Sequence, residues 1–314
     1  MRRGGPPMLP VEPGTVPAVS RVERGQRGLR FALTGDGGAP GPHSGPLRAR
    51  AAAPVPAREA TVVAGGKLAL LTGAGAAFSL RLPQVVVIHD RRPPGLDRTV
   101  GAADANAGLL HAEGGWRAVV LPSLGDIAAD LGPGPVAIRA DGRAVAAVAG
   151  GEVVEWTLGE EEPSARRPGG GDAIAFAPDG SVWVSAGAAP RAPGEAAVGG
   201  PAITALAAAA TAPVLVARHE DDTISVWGPG AAEATTSWPS PVPRATALAV
   251  SADGDLIALG SPDGADPVAA LVTRDGAIAR LVEGARVIAP SPARDGLLVA
   301  GDWGCAWLTP EEDA

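Results

Sequence analysis

Residues 247–264 read ALAVSADGDLIALGSPDG: a short apolar strand, an Asp-Gly turn at 253–254, a second apolar strand, and a second turn of small residues. Asp-Gly suits tight hairpins because both positions tolerate positive φ. The same order recurs in VAIRADGRAVAAVAGGEVVEW at 136–156, IAFAPDGSVWVSAG at 174–187 and VIAPSPARDGLLVAGDWGCAW at 287–307. In the first and last of these a third strand follows and ends in Trp156 or Trp307. From about residue 57 onward no long stretch has helical periodicity, so the class is all-β.

The aspartates of these turns, Asp141, Asp179, Asp253 and Asp295, are 38, 74 and 42 residues apart. The middle gap is two periods long and hides one more unit, ITALAAAATAPVLVARHEDDTISVW at 203–227, in which Thr211–Pro213 replaces the Asp-Gly turn. The closing tryptophans keep the same ruler, with Trp156, Trp227 and Trp307 separated by 71 and 80 residues. Upstream, LALLTGAGAAFSLRL at 68–82 and GLLHAEGGWRAVVL at 108–121 fit the strand, turn, strand core. Seven units then fill residues 57–314 at about 37 residues each, near the period of four-stranded propeller blades. The sequence predicts a seven-bladed β-propeller of four-stranded antiparallel blades.

The segments APDGSVWVSAG, SADGDLIALGS and DDTISVW resemble units of the WD-repeat family, whose repeats form propeller blades. The likeness covers about four fifths of the chain. No Gly-His pair opens any repeat, and the closing Trp is followed by Thr157, Gly228 or Leu308 where the family has Asp. The blade-rigidifying role of the family's Asp is therefore implied only for Asp222 and Asp302. The resemblance also implies a protein-binding scaffold.

A propeller must join its last blade to its first, or two sheet edges stay open. After CAWLT only PEEDA remains, so the last blade needs an outer strand from elsewhere. Counting back from TVVAG at 61 by the spacing of the later repeats reaches LRARAAA at 47–53, with LRFALT at 29–34 as the competitor. Residues 1–45 are rich in Gly, Pro and Arg and read as a basic, disordered tail, leaving 46–314 as the propeller. Residues 1–50 carry +5, which leaves −13 on the remainder of a chain whose formal charge is −8.

That acidic body argues against a nucleic-acid coat, which needs excess Lys and Arg. Hydrophobic residues make up 46%, yet aromatics only 3%, so Ala, Val, Leu and Ile must fill the core. No run of 18 apolar residues spans a bilayer and the start lacks an apolar signal region, so a cytoplasmic monomer without membrane contact is expected. The single Cys305 excludes an internal disulfide. Arg outnumbers Lys 25 to 1, the codon bias of a GC-rich, bacterial-type genome.

The inner strands that should line the central channel, ATVVA, PVAI, AIAFA, AITAL, TALAV and VIAP, have only Arg139, Asp172 and Arg286 as ionisable neighbours. General acid–base work needs paired titratable groups and metals need three or four converging ligands, so neither catalysis, a cofactor nor a metal is expected there. His89 and Asp90 are adjacent on a strand and point to opposite faces, which spoils them as a base and its orienter. Cys305 and Trp307 alternate onto one face of the last strand, as a buried, inert thiol would. What remains is the rim carrying the turns between second and third strands. It gathers Glu113, Glu152, Glu220, Asp221, Asp222, Asp263, Asp266 and Asp302, with His219 beside them, and should be negative. The reading is a non-catalytic interaction platform whose acidic rim binds a basic protein partner. The alternative is a propeller enzyme or small-ligand sensor using the central channel.

Overall fold

The computed structural model describes residues 19–25, 28–33 and 47–310, apart from 128–130, 262–266 and 294–295. It is a seven-bladed β-propeller of four-stranded antiparallel design. From the channel outward, blade 1 is Glu59–Val63, Leu68–Gly73, Ala76–Arg81 and Val86–Arg91. Blade 2 is Arg98–Gly101, Ala107–Ala112, Gly115–Val120 and Gly125–Ile127, and blade 3 is Val136–Ile138, Ala144–Ala149, Glu152–Thr157 and Ala165–Pro168. Blade 4 has three strands, Ile174–Phe176, Val182–Ala186 and Ala189–Arg191; in place of a fourth, Val198 returns to bridge Gly187. Blade 5 is Ile203–Ala208, Leu215–His219, Thr223–Trp227 and Thr236–Pro239, and blade 6 is Ala247–Val250, Leu256–Gly260, Val268–Thr273 and Ile278–Glu283.

Blade 7 consists of Val287–Pro290, Leu297–Gly301 and Gly304–Pro310, with Leu47–Ala53 as its outer strand. The ring thus closes by pairing the first part of the chain with the last, Ala53 opposite Cys305 and Leu47 opposite Pro310. Each inner strand lies beside the next, and Val287–Pro290 lies beside Glu59–Val63. The competitor for closure goes elsewhere. Gly28–Leu33 pairs with Val19–Gly25, and that hairpin adds to the outer edge of blade 6, Arg21 meeting Glu283 in parallel. Both strands lie within residues 1–45, the stretch whose composition reads as a tail. An outer blade edge offers free backbone N–H and C=O groups, and pairing with them needs no hydrophobic pattern for composition to reveal.

The hydrophobic core is divided into seven clusters, one between each pair of neighbouring blades. Alternation produces this, because each strand sends successive side chains to opposite faces of its blade. Leu70 and Leu71, both fully buried, belong to different clusters. The expected tryptophans fill the interfaces, with Trp156, Trp227 and Trp307 at 7%, 6% and 1% exposure. Small residues allow the inner strands to converge: a Cβ on Gly101 would stand 2.3 Å from Val63 Cγ1 in the neighbouring blade.

Two local expectations need correction. The Asp-Gly turns are not two-residue hairpins with both residues at positive φ. Only the glycines are left-handed, Gly142, Gly180 and Gly254 at φ 67, 83 and 77. In blade 4 the Gly180 N–H donates to Ala177 O while Ala177 N–H donates to Ser181 O, a three-residue loop with the Gly as its bulge. Asp179 Oδ1 accepts the Ser181 N–H and hydroxyl, which fixes the turn. Two-residue turns with both φ positive occur instead between second and third strands, at Ala74-Gly75 and Gly150-Gly151. The second correction follows from this. The upstream segments 68–82 and 108–121 supply the middle pairs of blades 1 and 2, so the inner strand of blade 2, Arg98–Gly101, escaped the repeat alignment.

Candidate functional site: one rim and the central channel

Strand direction alternates within a blade, so every turn between second and third strands reaches the same rim. Glu113 sits in that turn of blade 2, Glu152 just after it in blade 3, Glu220, Asp221 and Asp222 in blade 5, and Asp302 in blade 7. Asp263 and Asp266 lie outside the described residues. All of the described carboxylates except the partly covered Asp222 belong to exposed residues.

Several of them have arginine partners. Arg218 Nη2 is 2.6 Å from Asp222 Oδ1, and the same oxygen accepts the Arg244 N–H at 3.2 Å, so Asp222 ties blade 5 to the connection into blade 6. Asp222 itself is left-handed, φ 63, a strain its two bonds help to hold. Asp302 receives Arg286 in fork geometry, Nε at 2.8 Å and Nη2 at 2.6 Å. This hydrogen bonding holds the Asp302 carboxyl below the usual carboxylate range, with further attraction from Arg286 and Arg58. Glu152 faces Arg166 at 3.7 Å across an exposed strand pair. Glu220 Oε1 accepts the Ala202 N–H at 3.3 Å. Asp221 caps its own turn by accepting the Thr223 N–H at 3.0 Å, which lowers its pKa. Glu113 stands exposed.

His219 is not on the rim surface. It is 6% exposed and joins a buried chain: Trp227 Nε1 lies 2.7 Å from Ser225 Oγ, Ser225 Oγ 2.7 Å from His219 Nε2, and His219 Nδ1 3.0 Å from Pro201 O. A carbonyl only accepts, so Nδ1 carries the proton, Nε2 accepts from the serine hydroxyl, and the serine oxygen accepts from the indole. This histidine holds its blade together and is unavailable to a partner.

His89 and Asp90 are exposed on the outer strand of blade 1 and do not form a pair. A different histidine does: His111 Nδ1 is 2.6 Å from Asp97 Oδ1, and its ring lies 5.1 Å from that of Trp116. The sequence reading passed over both residues because it did not place Asp97 at the entry to an inner strand. Cys305 is fully buried, and desolvation pushes its thiol up to about 12.

The inner strands surround a continuous channel. Its waist, about 280 Å³, is lined by Ala, Val, Leu, Ile, Gly, Pro, Phe176, Thr61 and Thr99, without an ionisable side chain. Charges gather at the two mouths. One, beside the rim described above, has Glu59, Arg98 and Asp172; the other, on the rim of the Asp-Gly turns, has Asp104, Arg139, Asp141 and Asp179. Arg286, expected near the channel, is instead committed to Asp302. Arg98 and Asp104 were missed with the inner strand of blade 2, although RTVG precedes GLLHA at a spacing that suits an inner and a second strand, and Glu59 was missed one residue ahead of ATVVA in blade 1. Among the described residues no group of three or more His, Cys, Asp or Glu could hold a metal ion, and no helix is long and apolar enough to cross a membrane.

No model of a protein family matches this chain, and no curated protein matches it either.

Proposed function

We propose that this protein is a non-catalytic interaction platform of WD-repeat type, cytoplasmic and monomeric, which binds a basic protein partner through the rim of its second-to-third-strand turns. One observation carries the reading. Glu113, Glu220 and Asp221 are exposed on that rim with no arginine at ion-pair distance among the described residues. Rigid loops on a propeller rim are where recognition is commonly placed, and uncompensated carboxylates there attract a cationic surface. The WD-repeat assignment is supported by Asp222, whose bonds to Arg218 and to the Arg244 N–H tie its turn to the neighbouring connection as the resemblance implies, and the His219–Ser225–Trp227 chain adds a second tie within the blade.

The test replaces Glu113→Gln, Glu220→Gln and Asp221→Asn together, leaving Asp222, Asp302 and His219 to their structural tasks. With the partner captured from the native host, the triple variant should associate several-fold more slowly at low salt and lose most of its salt dependence. Unchanged association kinetics would sink the acidic-rim reading. Turnover of a small molecule by the wild type would place the protein among propeller enzymes instead.

A further inference from the structure

We propose that the central channel binds an organic amine, its cationic head at the mouth formed by Asp104, Asp141 and Asp179 and its uncharged body in the waist. The cavity at this mouth, about 450 Å³, shares Gly101, Ile138, Phe176 and Ala208 with the waist of about 280 Å³, so the two adjoin. Together they fall within the usual size of small-molecule sites.

Charge selects the occupant. The mouth holds three carboxylates and one guanidinium, and that guanidinium is already bound, Arg139 Nε donating to Asp141 Oδ1 at 2.8 Å. Hydrogen bonds from Ser181 keep the Asp179 carboxyl ionised by lowering its pKa, and Asp104 is exposed. An anionic head is therefore repelled and a cationic one attracted. Phe176, packed into the core between blades 3 and 4, lines both mouth and waist and adds apolar surface where they meet.

Polarity fixes the direction of entry. In the waist Leu206, Leu248 and Val250 are half-buried residues of the wall, and its polar groups are two threonines and the free edges of the inner strands, none charged. A lysine reaching in from a docked protein would carry its ammonium into this uncharged waist. A free amine entering body first leaves its head among the carboxylates, which is the arrangement the lining fits. The opposite mouth, lined by Glu59, Arg98 and Asp172, has the weaker negative charge. The inference is separate from the rim reading, because Glu113, Glu220 and Asp221 lie on the other face.

Calorimetric titration of the full chain at low ionic strength tests it, with n-octylammonium as probe and butylammonium and octanoate as controls. Octylammonium should show one saturable site, at least about tenfold tighter than either control, since head and body must both be present. Asp104→Asn with Asp179→Asn should weaken it roughly three- to tenfold, as expected for removing two partly solvated charges. Leu248→Trp should obstruct the waist and abolish it; if that variant does not fold, the three wild-type titrations decide alone. Octanoate or butylammonium binding as tightly as octylammonium, no saturable site, or octylammonium binding that survives the mouth variant unchanged would each overturn the proposal.

Discussion

Ser225→Ala is expected to destabilise the propeller out of proportion to the atom it deletes. Ser225 is 2% exposed and its hydroxyl is the only link between Trp227 Nε1 and His219 Nε2, each at 2.7 Å. Removing it strands one buried donor and one buried acceptor in a pocket shared with Leu215 and Ala217, both fully buried. Each unsatisfied group costs roughly 1–3 kcal/mol, so the variant should lose about 2–6 kcal/mol. At roughly 2–4 °C per kcal/mol for a domain of this size, the melting temperature should fall by about 4–24 °C. Trp227→Ala, which opens a cavity instead, should cost about 3–5 kcal/mol. The discriminating measurement is a cycle with Trp227→Phe. Phenylalanine removes the donor that Ser225→Ala would strand, so the double variant should be more stable than the sum of the singles by about 1 kcal/mol. Urea unfolding followed by far-ultraviolet circular dichroism and by tryptophan fluorescence gives these values and checks two-state behaviour. A loss below about 0.5 kcal/mol for Ser225→Ala, or strict additivity in the cycle, would refute the chain of donors and acceptors described above.

A chain beginning at residue 46 should elute as a monomer in gel filtration, whereas one beginning at 57 lacks the strand that covers Gly304–Pro310 and should aggregate; equal behaviour of the two would separate closure from Leu47–Ala53. Cys305, buried and with its thiol pushed up to about 12, should react with a thiol reagent at pH 8 only after denaturant is added, and prompt reaction would misplace the last blade. Asp126, Asp141 and Asp302 are each held below the usual carboxylate range, first by a hydrogen bond from Arg91, Arg139 or Arg286. Their stabilisation is complete above the unfolded carboxylate pKa of about 4 and is lost as pH falls below it, so melting curves should show an acid limb that Asp302→Asn makes shallower.

The fold was legible where the repeat carried its own punctuation. Asp-Gly turns and closing tryptophans recur because a blade needs them, the one to turn the chain and the other to fill the space between sheets. Blade 5 could be placed without its Asp-Gly turn, since ITALAAAA and PVLVARH kept the spacing and DDTISVW closed the unit. The alignment failed where punctuation moved. In blades 1 and 2 the conspicuous glycine turns join second to third strands, and the register shifted by one strand. The hairpin on blade 6 was half legible: LRFALT at 29–34 read as a strand, but not the edge it joins, because strand addition is a backbone interaction, indifferent to the side chains by which sequences are read.

The site was less legible, and His219 shows why. Its neighbours Glu220, Asp221 and Asp222 drew it into an acidic group, yet parity along the strand already assigned it elsewhere, because Leu215, Ala217 and His219 share one face and that face is core. Parity says nothing about the arginines. Asp302 and Arg286 are 16 residues apart and meet only because the turn of blade 7 folds back over the entry to its own inner strand. A formal charge counts such a pair as two rim charges, whereas a partner approaching the rim meets one neutral fork. The field a partner would meet therefore comes from carboxylates the fold leaves without an ion pair, among them Glu113, Glu220 and Asp221 on one face and Asp104 and Asp179 at the channel mouth on the other.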